Sequence, residues 1–230
     1  MKIKPYRIEY EFSFQNGKRE SFQIALHPRT LNIIRSKLID KPEWTRLDNR
    51  QCKCCLLKAN IYLYCPISVN IAELVEAFKI MYSTESCLVK CITPERTYFK
   101  ESTLQEGLFS IFGIVMATSD CPAMNFLKPM ARYHLPFSTV NETMVRVVSN
   151  HLLREYFRNK NGKMPDFDLK QLNKQYENVR SVNEGILSRI SGFVKKDADQ
   201  NAIIILDSLA QILAIEIQDN LNSLEPLFCI

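Results

Sequence analysis

The chain has 230 residues, 46% hydrophobic and 24% charged, the make-up of a globular chain with a real core rather than a disordered or fibrous one. Its six glycines and ten prolines leave little room for a low-complexity linker, and its length suits one large domain or one domain with a helical extension. The net charge of +5 is uneven: residues 1–68 carry thirteen Lys and Arg against six Asp and Glu, the remainder seventeen against nineteen. No basic run and no nucleic-acid-binding motif accompanies it, so a solvated sheet face is expected rather than a nucleic-acid partner. Met1-Lys2-Ile3-Lys4-Pro5 lacks the apolar stretch of a signal peptide, and the most apolar segment, 108–117, is too short for a bilayer. A cytoplasmic setting without membrane is expected, where eight cysteines point to metal or thiol chemistry rather than disulfides.

In chain order, Tyr6, Ile8, Tyr10, Phe12 and Phe14 alternate with polar residues, and Phe22, Ile24 and Leu26 do so after Asn16-Gly17. This predicts a β-hairpin with one buried face. A short helix is expected over 30–39, then a compact loop over 46–66 with a short strand near Thr45–Asp48. Asn70 suits the N-cap of a helix over 71–82. Strands are expected at 88–92 and 97–100. Thr103 and Glu106 read as a capping box for a helix to about Thr118. Cys121-Pro122 opens a short helix, Lys128-Pro129 interrupts it, and Leu135-Pro136-Phe137 reads as extended. Ser138 or Thr139 caps a long helix ending near Asn161-Gly162.

The last third is helical. Leu169, Leu172, Tyr176, Val179, Asn183, Ile186, Ile190 and Phe193 form a heptad seam with Asn183 at an a position. Asp199 can cap a final helix whose stripe is Leu206, Leu209, Leu213, Ile217, Leu221 and Leu224. The fold class is therefore α+β: an N-terminal hairpin in a mixed or antiparallel sheet with covering helices over 1–162, then a C-terminal helical hairpin over 163–230. These helices also offer a surface for a homodimer.

Two constellations could carry chemistry. Cys52 and Cys55 form a C-x-x-C pair in a loop, and Cys65-Pro66 and Cys121-Pro122 add two cysteines at turns. Four thiolates can complete a tetrahedral site around one ion. Structural zinc, an iron–sulfur cluster and redox thiols compete for this reading. Cys87, Cys91 and Cys229 read as packing residues, and Cys54 as pointing away. The second constellation gathers Lys128, Arg132 and His134 within seven residues, a set that could hold an anionic ligand or cofactor. On spacing alone, surface charges at Lys128 and Arg132 and a backbone-bonded His134 are the favoured explanation. No Ser-His-Asp order, glycine-rich phosphate loop or H-E-x-x-H appears, so the sequence does not decide whether the protein is an enzyme.

These segments resemble a family of uncharacterised bacterial proteins of similar length. Its marks are the C-x-x-C of Cys52 to Cys55, Cys65-Pro66, Thr93 to Tyr98, Thr118 to Pro122 and Lys128 to Phe137. Where the family pattern has proline after the second cysteine, this chain has Leu56. The resemblance implies a shared cysteine set, Cys52, Cys55, Cys65 and Cys121, and a shared polar set, Lys128, Arg132 and His134, but no activity. The resulting expectation is a metal-binding module with a structural four-cysteine zinc site and an undefined protein or anionic small-molecule partner. The alternative is an iron–sulfur or thiol-based enzyme or redox sensor.

Overall fold

A computed structural model describes residues 4–34 and 41–229. Four strands, β1 (Tyr6–Phe14), β2 (Arg19–Leu26), β3 (Ser86–Ile92) and β4 (Thr97–Thr103), form one antiparallel sheet in the order β2-β1-β3-β4. The alternation expected on β1 is present: Ile8, Tyr10, Phe12 and Phe14 are buried, beside Phe22, Ile24 and Leu26 of β2 and Cys87, Val89 and Cys91 of β3. Their register places one apolar row across three strands, so the sheet has a single core face. At the β1–β2 turn only Gly17 takes a left-handed conformation, at φ 84°, while the Asn16 Oδ1 accepts from the Lys18 N–H at 2.9 Å.

Helices α1 (Pro66–Phe78) and α2 (Leu104–Thr118) cover that face. Phe78 meets Phe12 and Phe22, with ring centroids 5.2 and 5.6 Å away. Gly107 lets α2 lie directly on the sheet, since a Cβ there would stand 2.6 Å from Phe12 and 2.8 Å from Val89. A 3-10 turn at Pro122–Leu127 and a short α3 (Lys128–Arg132) lead to α4 (Val140–Lys160). Thr139 and Glu142 make the full capping box of α4, and Gly162, at φ 72°, ends it as expected.

Helices α5 (Lys170–Ile190) and α6 (Ala198–Gln218) then pair, and a short α7 (Glu225–Phe228) closes the chain. The expected seam is buried at Leu172, Tyr176, Val179, Asn183, Ile186 and Ile190. Core residues of the sheet, α1, α2, α5 and α6 form one continuous cluster. The connection from α4 to α5 is pinned by buried polar groups: His151 bonds the Asp166 carbonyl at 2.9 Å, and Glu155 accepts from the Asp166 N–H at 2.9 Å. By length and composition α6 is one helix that could cross a bilayer; in the fold it buries Ala202, Ile203, Ala210 and Leu213.

Several local expectations are corrected. Helix α1 begins at Pro66 rather than after Asn70, because proline at the first helical position loses no hydrogen bond and is already in helical φ. Thr103 precedes α2 without capping it; Glu106 bonds Ser102 instead. Residues 45–48 contribute a single bridge, Arg46 to Tyr64, not a strand. Over 30–34 the chain turns, with Leu31 at φ 59° and Ile33 bridging Leu26; the rest of the helix expected there lies outside the described residues. Phe137, at φ 59°, turns the segment expected to be extended. Asp199 does not cap α6: Asp197 occupies that place, and Asp199 is fully buried with both carboxyl oxygens unpartnered.

Candidate metal centre

Cys52, Cys55, Cys65 and Cys121 line one small cavity together with Cys54. Three separate segments deliver them. Cys52 to Cys55 form a tight turn in which the Cys55 N–H reaches the Cys52 carbonyl at 3.0 Å. Cys65 immediately precedes α1, and Cys121 immediately precedes the 3-10 turn, each with proline at the next position. Proline there starts the helical turn and leaves the following N–H groups free to face the sulfur. At Cys121 those N–H groups belong to Ala123 and Met124.

Helix α5 forms the far wall through Val182 and Arg189. Gly185 gives the Cys52 turn its seat: a Cβ at 185 would lie 3.3 Å from the Cys52 Cα and would overlap its sulfur. Cys54 also faces α5, its thiol 3.5 Å from the Asn178 carbonyl. Arg189 is 3% exposed. It donates to the carbonyls of Arg46 and Leu47, the latter at 2.9 Å, and so ties α5 to the loop leading into the cysteines. Its Nε is buried without a partner, and among the described residues it forms no ion pair with a carboxylate. The cavity thus contains a buried cation and five thiols.

Burial pushes the Cys52 thiol up to about 12; neighbouring Cys65, Cys54 and Cys55 push the same way, against the pull of Arg189. Burial likewise raises Cys121 to about 11, opposed by the N–H groups of Ala123 and Met124. Both thiols are therefore protonated near neutrality and are weak nucleophiles in that form. The cavity measures about 20 Å3, room for about one water-sized particle. Among the described residues, no group of three or more His, Cys, Asp or Glu stands in a ligating arrangement. The backbone gathers the four cysteines; their sulfurs do not yet converge on one point.

The other cysteines lie elsewhere. Cys87 and Cys91 are buried under the sheet, where burial raises both to about 11, and Cys229 is exposed near the C-terminus.

Lys128, Arg132 and His134 each have a partner of their own. Lys128 bonds Asn32 and stands 3.9 Å from Asp120. Arg132 pairs with Glu95 at 3.5 Å and lies over the Tyr6 ring at 3.8 Å. His134 is turned inward, its Nε2 2.5 Å from the Tyr10 hydroxyl, and burial, with Arg146 nearby, lowers it to about 3. Residues adjacent in sequence are thus spread over three environments, because a short helix and the turn at Phe137 aim them apart.

Arg189 and Gly185 were not visible as site residues from the sequence. Arg189 reads as one more charge on a polar helix face. Gly185, a glycine inside a helical pattern, was the available signal for a close backbone approach.

Fold and cavity together define the class: an α+β protein whose cysteine-lined cavity is walled by its C-terminal helical hairpin. Residues 8–229 match the model of a family described as a domain of unknown function, DUF6901, and the chain belongs to that family. No curated protein and no solved structure matches it.

Proposed function

We propose that the protein is a metal-binding module in which Cys52, Cys55, Cys65 and Cys121 hold one structural zinc ion. One observation carries the reading: four cysteines from three chain segments share a small cavity with a buried arginine that makes no ion pair among the described residues, Asp48 being the carboxylate whose charge it feels. A Zn2+ bound by four thiolates carries a net charge of −2, and Arg189 supplies a positive neighbour. Binding as thiolates releases the protons of Cys52 and Cys121, whose raised thiols make loading favour higher pH. Loading requires the four sulfurs to turn toward one point about 2.3 Å from each.

The ion would clamp the 52–65 loop and the Cys121 turn to each other and against α5. The cavity volume favours a single ion over an iron–sulfur cluster, and protonated thiols disfavour a reactive redox pair. The role is that of a binding or regulatory module whose shape depends on the metal. Elemental analysis and native mass spectrometry of anaerobically purified, chelator-free protein provide the test. One zinc per chain is expected. Metal-free protein sinks the proposal, and stoichiometric iron with acid-labile sulfide replaces it with the cluster reading.

A further inference from the structure

A second cavity, of about 130 Å3, lies among α2, α3, α4, α5 and α6. Its walls are largely apolar, with three methionines, Met116, Met124 and Met130, among the lining residues. Arg146, Tyr176 and Asn183 bring polar groups into it.

Asn183 is 1% exposed, and its Nδ2 is buried with no hydrogen-bond partner. Arg146 is half-buried. Its Nη2 donates to the carbonyls of Met130 and Tyr133 at 3.2 and 3.0 Å, and it forms no ion pair among the described residues. Burial raises the pKa of the Tyr176 phenol, which keeps its proton. The cavity therefore presents donors: a guanidinium, an amide N–H and a phenol. His134, also on the wall, is kept neutral by burial and occupied by Tyr10.

A buried donor without a partner is costly to leave so, and this arrangement calls for an acceptor. The Arg146 guanidinium hydrogen-bonds only carbonyls, and Glu142, one turn earlier on α4, feels its charge without pairing with it, so an anion is the acceptor that suits the cavity. One cation among apolar walls suits one negative charge on an apolar body; a phosphate would need more charge and more donors.

We propose that this cavity binds a compact apolar monocarboxylate, its carboxylate on Arg146 and Asn183 and its aromatic or branched aliphatic body among the methionines. The volume is near that of the roughly 150 Å3 apolar cavity that takes up benzene, which sets the body at about one ring. The site is separate from the cysteine cavity and does not depend on metal.

Calorimetric titration of the full chain with benzoate and with 4-methylpentanoate tests this, with toluene and benzamide as uncharged controls. Saturable binding of at least one acid is expected, roughly tenfold or more tighter than either control. Arg146→Gln and Asn183→Leu should each weaken it by roughly tenfold or more. Arg146 also holds two carbonyls, so its variant could lose the fold. Asn183→Leu answers that objection: it removes an unpaired donor from an apolar wall and should leave the apo melting temperature unchanged or higher. Absence of saturable binding by both acids overturns the proposal. So does toluene binding as tightly as benzoate, or undiminished acid binding by folded Asn183→Leu protein.

Discussion

The Cys52 backbone rests against Gly185 of α5, with room for hydrogen at 185 but not for a methyl group. Glycine inside a helix ordinarily costs about 1 kcal/mol relative to alanine. Here the contact outweighs propensity, since overpacking a tight site costs about 1–3 kcal/mol. Gly185→Ala is therefore expected to lower stability and to reduce zinc content by displacing the Cys52 turn. Urea unfolding with elemental analysis of the same preparation checks both. A more stable variant with full metal would show that the turn can move freely.

Cys52→Ser, Cys55→Ser, Cys65→Ser and Cys121→Ser should each release zinc and sharply lower the melting temperature, because binding energy at a structural site is folding energy. Cys87→Ser and Cys91→Ser should retain zinc while losing about 1–3 kcal/mol from a buried hydroxyl under the sheet. Cys229→Ser, at an exposed position, should change neither property. Cys54 is the discriminating control. Its thiol faces the Asn178 carbonyl, so Cys54→Ser should keep its metal; loss there would move Cys54 into the ligand set.

Arg189 joins two roles that substitution can separate. Its hydrogen bonds to Arg46 and Leu47 need the guanidinium fork, whereas its effect on the thiolates needs only charge. Arg189→Lys is expected to destabilise by about 1–3 kcal/mol through the carbonyls it leaves unpaired, while holding zinc nearly as well. Arg189→Met should do both kinds of damage, with metal affinity falling roughly tenfold or more, the usual scale for groups supporting a ligand shell. Competition with a chromophoric chelator separates the two; equal affinities in wild type and Arg189→Met would remove the arginine from the site.

Asp199 gives the fold a pH dependence. It is fully buried, neither oxygen has a partner, and burial raises it to about 8. The folded protein thus holds this proton more tightly than the unfolded chain, whose aspartate titrates near about 3.9. The associated stability is fully present below about pH 4 and is lost as pH rises through about 8. At about 1.4 kcal/mol per unit, the effect amounts to several kcal/mol at most. Asp199→Asn should unfold at a higher urea concentration than wild type near pH 8, and the advantage should shrink toward pH 5. A pH-independent difference would place the cause elsewhere.

The strands β1 and β2, the capped helix α4 and the seam of α5 were all legible in the sequence, because each is set by local period and end chemistry. Alternation of Tyr6 to Phe14 needs only a strand with one buried face. Thr139, Glu142 and Gly162 need only their neighbours along one helix. Errors fell where a residue type permits two uses. Thr103 with Glu106 matches a capping box, yet Glu106 finds Ser102, and Asn70 lies inside a helix that Pro66 had already started.

Cysteine identity and spacing singled out Cys52, Cys55, Cys65 and Cys121 without any knowledge of where the segments lie. Spacing describes what a loop can offer, not what stands opposite it. That Arg189 and Gly185 face those thiols follows only from packing α5 across the loop, a contact between residues more than a hundred positions apart. The same limit separated Lys128, Arg132 and His134. Within one segment they look like one site, but the turn at Phe137 and the burial of His134 against Tyr10 assign them different partners. By itself the sequence determined the elements, the apolar faces and the inventory of reactive groups, all of which depend on neighbours along the chain. Only the tertiary structure decided which groups share a cavity and which buried charges make no ion pair, because both depend on how faces from distant segments come to oppose one another.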